Sequence, residues 1–441
     1  APGAAGDDEL HWTERPARIH LQGQMREGWH FDGQIRLPAL LGGQALMRYA
    51  GSFVPEPVPA AATEPEAAHA IVLGGSGLLG RALCGELLRR GWRVTVPRRT
   101  PGPAATRFAH PAYREIHWDP AQPDTAIAVL RAAIDQHPAQ RLVLINLAGE
   151  NPGARRWSAA CMQRILQSRL AVLAILDGLL RQLRAELAQG LRPASTLPVA
   201  ILQASAVGLY GDRGAEPLSD LPTFCSTTSA APPAGPQGWL AEAGWLARGR
   251  RFRSDCCADV EAAAAALATL PGNAAAPWVV MLRIGMVLAR EGGLLPHLQR
   301  AAMAGVSRLG SGRQQVSWIH LADAARVIAE IAAAPAALAD PGSPCFAVHV
   351  CAPQPVANAE LLRHTRAALR RALPAALPLP ARALEWAIGP AASVILDSQA
   401  ALPERLRQRL PPERYAQLFH HPDVAPALRS WACTVAMSSS P

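Results

Sequence analysis

The sequence predicts an α/β fold: a doubly wound parallel sheet with a small, mainly helical C-terminal domain and an N-terminal extension. Three observations predict it. Short apolar runs alternate with helix-length segments from residue 70 to residue 351, a glycine-rich turn joins the first apolar run to the first helix, and no apolar run approaches the ~18 residues that a bilayer crossing needs. At 441 residues the chain can hold two or three domains or one large α/β domain with additions. The reading adopted divides it into 1–68, 69–352 and 353–441.

In chain order, residues 1–68 hold a stretch rich in His and Trp (His11, Trp12, Trp29, His30, Phe31) and then a Pro/Ala/Glu segment over 55–68 that reads as linker. His11 and His30 lack ligand spacing, so the extension reads as a docking arm or small add-on rather than a metal site. Residues 70–73 are the first predicted strand, 81–90 the first helix and 92–97 the second strand. Further strands are expected at 142–147, 199–204, 279–282 and 346–351, with helices over 158–180 and 260–270 between them. Such alternation puts helices on both faces of a parallel sheet. An insertion rich in Pro, Ser and Thr falls near 221–251, and 359–373, 381–388 and 403–410 read as helices of the C-terminal domain.

Composition narrows the function classes. The chain contains no lysine, so its 43 basic residues are all arginine, against 34 acidic ones. The net +9 suits a phosphorylated cofactor, an anionic surface or ordinary solvated positions. No basic run is interleaved with aromatics, so nucleic acid enters only as an indirect partner. The eight cysteines lack the C-x-x-C pairs of a zinc site or disulfide scaffold, and no metal site is expected. Cys256–Cys257 is either a redox pair or helix packing. The chain opens without Met and without a basic-then-apolar leader, which carries the expectation that a targeting segment has been removed.

The chemistry starts at Ile71-Val-Leu-Gly-Gly-Ser-Gly-Leu-Leu-Gly80. Gly74 permits a tight turn, Gly77 lets the backbone approach a pyrophosphate, and Gly80 allows close packing of helix on strand. Together with Gly75, Ser76, Leu78 and Leu79 they form the loop of a Rossmann-type dinucleotide site. The second strand ends on Arg98-Arg99, where an NAD site carries an acidic residue for the ribose diol. Arginine there suits a 2′-phosphate, so NADP(H) is favoured with NAD(H) as the alternative, unless both are surface charges.

Further along stand Asn146-Leu-Ala-Gly-Glu-Asn151, Arg156-Trp157, Ser168-Arg169, Ser205-Ala-Val-Gly-Leu-Tyr-Gly211, Arg283-Ile-Gly-Met-Val-Leu288 and Gly310-Ser-Gly-Arg-Gln314 with Ser317-Trp-Ile-His-Leu-Ala-Asp323. In this order they resemble the atypical extended short-chain dehydrogenase/reductases, the NAD(P)-dependent epimerase-family branch with a C-terminal domain of unknown function. The resemblance runs from about residue 70 to 431. It implies that Asn146, Ala148 and Gly149 line the cofactor, that Ser205 and Tyr210 flank the nicotinamide, and that Arg283, His320 and Asp323 lie near the substrate cleft or brace it. Tyr210 alternatively caps a strand end, His320 and Asp323 alternatively form a helix-start pair, and Arg156-Trp157 alternatively anchors packing. His349 stands where the family tends to have Asn.

The wider superfamily moves its proton with a Tyr-x-x-x-Lys pair, whose Lys lowers the Tyr pKa. A chain without lysine cannot supply it. The helix expected to carry the motif is represented by Trp239-Leu-Ala-Glu242 and by Cys256…Glu261, so the Tyr position is Trp239 or Phe252 and its i+4 partner Ala243 or Cys256. Ala206 takes the usual hydroxyl position beside Ser205. Two functions follow as expectations: a catalytically degenerate NADP(H)-binding subunit of a large organellar complex, or an active oxidoreductase or epimerase using Tyr210, Ser205, His320 or Asp323. The first implies protein partners and a mitochondrial matrix address, with plastid or cytoplasm as alternatives.

Overall fold

The computed structural model describes residues 68–430 apart from 101–107, 109, 138, 140, 154–155, 222–244, 270–275 and 370–376, together with the backbone of four strands within 12–53. Chain contacts divide it into two units, 1–59 with 431–441, and 60–430.

In the first unit, β1 (Trp12–Glu14), β2 (Ala17–Gln22), β3 (Trp29–Arg36) and β4 (Leu46–Phe53) form an antiparallel meander in chain order. The backbone of this stretch, read from the sequence as a docking arm or small add-on, pairs with itself. Cross-strand partners such as Trp29 and Phe53 join the ends of β3 and β4.

The second unit is built on β5 (Ala68–Leu73), β6 (Arg93–Arg98), β7 (Tyr113–His117), β8 (Arg141–Asn146), β9 (Pro198–Ala206), β10 (Trp278–Ile284) and β11 (Cys345–Val350). Their order across the sheet is β11-β10-β9-β8-β5-β6-β7, every pair parallel. The expected α/β, Rossmann-type doubly wound sheet is therefore present. The chain leaves β5 toward one edge and returns beside it at β8 toward the other, so a crevice opens at the carboxyl ends of these two strands.

Strand β5 is buried at five of its six positions because helices cover both faces. Helix α1 (Leu78–Arg89) seals one with Leu83, Leu87 and Leu88, and packs on the helix Leu321–Ala333. Helices α2 (Pro123–Asp135), α3 (Ala159–Ala188) and α4 (Trp245–Ala265) cover the other. Helix α3 is long and apolar enough to cross a membrane by length and composition, yet Ile165, Leu173, Leu176 and Leu183 lie in the sheet core. The edge strand β7 escaped the sequence reading because Tyr-Arg-Glu-Ile-His is polar and nowhere fully buried.

Residues 353–430 belong to the same compact unit as the sheet. Gln315–Val316 pairs with Val356–Ala357, and Pro217–Leu218 with Ala400–Ala401. Ser317 ties the segments further, donating to the Gln399 carbonyl and accepting the Ala401 amide, each at 2.8 Å. The helices read at 359–373, 381–388 and 403–410 are Asn358–Leu369, Ala381–Ile388 and Glu404–Arg409. The insertion centre, with Trp239, Glu242 and Ala243, lies outside the described residues, as do the side chains of 1–67, Cys225 and Cys433.

Candidate active site and cofactor cleft

The glycine loop turns immediately into α1, which starts at Leu78 rather than at residue 81. Gly74 has φ +80°, a left-handed conformation natural to glycine. A Cβ there would come within 2.7 Å of the Ala148 amide nitrogen, so the loop after β8 lies against this turn. At Gly80 a Cβ would strike the Gly74 carbonyl oxygen, which explains the need for glycine where helix meets strand. Gly77 is different: it is exposed, and a Cβ would meet only the Gly74 carbonyl, at 3.3 Å. It is the N-cap of α1 yet has no side chain to cap it, and the first turn carries no acid. The amides of Leu78, Leu79 and Gly80 are thus left for an external anion, the arrangement that suits a pyrophosphate.

The paired arginines after β6 are unequal. Arg98 Nη1 donates to Glu115 Oε2 at 2.6 Å, and Tyr113 holds the other carboxylate oxygen at 2.8 Å. Register explains the pairing, since β7 runs beside β6 with Arg98 opposite His117, two residues from Glu115. Arg98 is therefore braced by the neighbouring strand, whereas Arg99 is exposed at the strand end. Of the residues after β8, Asn146 is completely buried and its side chain faces inward. Its Nδ2 donates to Gln203 at 2.7 Å, and its Oδ1 accepts from the Ala148 amide at 3.1 Å. Its side chain ties β8 to β9 and holds the start of the crevice wall. Ala148 and Gly149 form that wall, with Arg169 packed on Gly149.

On the other side of β8, the residues expected around a nicotinamide form a hydrogen-bonded chain. Ser205 donates to Glu261 Oε1 at 2.6 Å. Arg283 grips the same carboxylate through Nε at 3.0 Å and Nη2 at 2.7 Å, and donates through Nη1 to the Tyr210 oxygen at 2.8 Å. Tyr210 lies 2.6 Å from His349 Nε2, and His349 Nδ1 lies 2.8 Å from the Leu402 carbonyl. A carbonyl only accepts, so Nδ1 carries the proton of the neutral ring and Nε2 accepts from Tyr210. The His349 amide in turn donates to Asp220 at 2.8 Å.

The protonation states follow from burial and partners. Burial raises the Tyr210 pKa against the pull of Arg283, and burial lowers that of His349. Burial opposes charge on Arg283, but its bonds to Glu261 outweigh this and hold the guanidinium protonated. Arg283 and Glu261 are each 3% exposed. The Tyr210 hydroxyl is engaged by Arg283 and His349, and the Arg283 guanidinium by Glu261 and Tyr210. Glu261 was the missing member. Its signal in the sequence was Arg283 itself, because a guanidinium in the middle of a buried strand requires a carboxylate nearby.

Beside Ser205 lies a cavity of about 240 Å³, lined by Trp157, Val207, Phe252, Cys256 and Met286 among others. Phe252 and Cys256 thus stand next to Ser205 at the i, i+4 spacing of the relay, and both are side chains that cannot exchange a proton near neutrality. Burial pushes the Cys256 thiol up to about 12 and raises Cys257 as well. Neither thiol is a ready nucleophile or redox group. Trp157, held by its own Nε1 bond to the Pro152 carbonyl at 2.8 Å, meets Phe252 edge to face at 5.2 Å.

His320 and Asp323 belong to a separate cluster. His320 caps the helix Leu321–Ala333, accepting the Ala322 amide at Nδ1. Asp323 is fully buried, pairs with Arg326 and accepts the amides of His420 and His421, while the His421 ring stacks on His320 with centroids 3.7 Å apart. Burial drives the His320 pKa down to about 3. These three side chains bring ligand atoms within 4.8 Å of one another. However, the carboxylate is already engaged, and His320 accepts at Nδ1, which leaves the proton of the neutral ring on Nε2. The cluster braces the helix start and the C-terminal segment.

A doubly wound parallel sheet with a glycine cradle at its switch point defines a Rossmann-type dinucleotide-binding domain. The profile of the NAD dependent epimerase/dehydratase family matches residues 70–232. The chain is similar to an epimerase family protein of Mycobacterium leprae, 29% identical over 366 residues, 82% of this chain and 95% of that protein. It is also similar to the Arabidopsis thaliana epimerase family protein named as an SDR39U1 homolog, chloroplastic, 27% identical over 76% of this chain and 80% of the relative. Among solved structures, the human epimerase family protein SDR39U1 (isoform 2), crystallised with NADPH, shares the fold with a TM-score of 0.55 and 24% identity, covering 82% of this chain and 99% of that one.

Proposed function

We propose that this protein binds NADP(H) in the crevice between β5 and β8 and is catalytically degenerate, serving as a structural or assembly subunit of a large complex. The observation that carries the reading is the pair Phe252 and Cys256 beside a Ser205 hydroxyl already donated to Glu261. The amides of residues 78–80 would hold the pyrophosphate and Arg99 the 2′-phosphate, with Arg98 secondary because Glu115 restrains it. When bound, the nicotinamide supplies hydride chemistry; this chain's residues supply binding and orientation without the Tyr–Lys relay. Bound nucleotide would stabilise the fold by mass action without turnover. The chloroplastic naming of one relative and the NADPH in another protein's crystal support the cofactor and an organellar address. We favour the mitochondrial matrix, with plastid or cytoplasm as alternatives and NAD(H) as the alternative cofactor.

Fluorescence titration tests the cofactor. NADPH should bind more tightly than NADH, and Arg99→Ala should reduce the preference about tenfold, a larger loss than Arg98→Ala gives. Equal affinity of the unaltered protein for both would overturn the NADP(H) assignment. Size exclusion of native extract tests the subunit role: the protein should elute in a large particle, and removal of residues 1–59 should release it. The cavity beside Ser205 favours a second reading, an active NADP(H)-dependent oxidoreductase or epimerase. Robust turnover of a carbonyl or sugar-nucleotide panel that vanishes on Tyr210→Phe would establish that reading instead.

A further inference from the structure

The cavity beside Ser205 carries a charge pattern that the cofactor does not account for. Two guanidinium groups line it, Arg169 from α3 and Arg253 from α4, and no acidic side chain does among the described residues. Arg169 Nη1 donates to the backbone carbonyls of Glu150 at 3.2 Å and Ile165 at 2.7 Å, and no carboxylate pairs with it among the described residues. Arg253 Nη2 donates to Asp397 at 3.0 Å, while its Nε is buried without an acceptor. The missing side chain of Gly208 makes room for Arg253, since a Cβ there would come within 2.7 Å of its Cδ. Both guanidiniums line the same cavity as Cys257.

Among the described residues only Asp397 pairs with either guanidinium, which leaves Arg169 without a paired carboxylate beside a mainly apolar wall. Such a charge is expensive to desolvate unless an anion joins it. One guanidinium without a paired acid suits a monoanion, and a planar fork of N–H donors matches a carboxylate. The remaining wall, with Trp157 and Phe252 edge to face, asks for an apolar body. At about 240 Å³ the space falls below the ~300–1,000 Å³ of sites for drug-sized ligands, so a whole sugar nucleotide exceeds it.

We propose that this cavity receives a small monocarboxylate, its apolar body against Trp157 and Phe252 and its carboxylate between Arg169 and Arg253. The assignment rests on the proposed function only in placing the cavity next to a cofactor crevice. The test is calorimetric titration of the full-length protein, with and without saturating NADPH, using 3-phenylpropanoate, 3-phenylpropanamide and UDP-glucose. The acid should bind at least about tenfold more tightly than its amide, the gain from a charge-assisted pair. Arg253→Gln should erase that ratio while leaving NADPH affinity within about twofold, and Arg169→Gln should erase the ratio as well. Equal binding of acid and amide, or tighter binding of UDP-glucose, overturns the proposal even if either variant fails to fold. Loss of NADPH affinity in folded Arg253→Gln overturns it too, by assigning that arginine to the cofactor. Failure of NADPH to bind the unaltered protein would count against the proposed function alone, because the acid–amide comparison stands without it.

Discussion

Around residues 74–80 the chain withholds side chains, whereas around Ser205, Glu261, Arg283, Tyr210 and His349 it fills the same level of the sheet with groups that satisfy one another. In the first region glycine leaves room for the Gly74 carbonyl and the Ala148 amide, and the amides of α1 stay open. In the second, a run of bonds between 2.6 and 3.0 Å uses the hydroxyl and guanidinium groups that a reaction would need. Binding capacity is retained where backbone alone supplies it. In the second region the polar side chains bond one another.

The contrast can be broken most strongly at Glu261. Glu261→Ala leaves the guanidinium of Arg283 buried without its counter-charge, and should destabilise the fold by about 3–5 kcal/mol in urea denaturation. Replacing both partners, with Glu261→Leu and Arg283→Met, should recover much of that loss; a single variant as stable as the parent would show that the network carries no structural weight. In the glycine region, Gly80→Ala drives a methyl into the Gly74 carbonyl and should cost about 3 kcal/mol. Gly77→Ala should change stability by less than about 0.5 kcal/mol yet weaken NADPH, because only the pyrophosphate needs that space. Equal stability loss at both positions would remove the distinction between a packing glycine and a binding glycine.

A smaller effect sharpens the comparison through pH. His69, at the base of β5 and bonded to Thr95 at 2.9 Å, has its pKa lowered from 6.5 to about 4, chiefly by burial. Below pH 6.5 the unfolded chain takes up a proton that the folded one refuses, so stability falls with acid and levels off below about pH 4. The loss from this residue should reach about 2 kcal/mol at pH 5. Denaturation of His69→Gln across the same range should show a correspondingly shallower slope; an unchanged slope would place the acid sensitivity elsewhere, His349 being the next buried imidazole.

The sequence by itself determined the sheet class and the cofactor loop, because both rest on local rules. Apolar runs bounded by turns give buried parallel strands, and glycines at 74, 77 and 80 between strand and helix permit only a narrow set of backbone paths. It also determined that the usual relay is missing, since a chain without lysine cannot supply one. Tertiary structure alone decided which polar residues meet. Glu261 lies 22 positions before Arg283 and 56 after Ser205, and nothing local marks it as their partner until α4 folds across β9 and β10. The same holds for Arg98, whose restraint comes from Glu115 on a strand too polar to stand out. Likewise His320 and Asp323, read from the sequence as cleft or helix-start residues, meet His421 through the packing of the C-terminal segment. Side-chain chemistry announces what a residue can bond to, but the fold chooses the partner, because burial penalises whichever group is left without one.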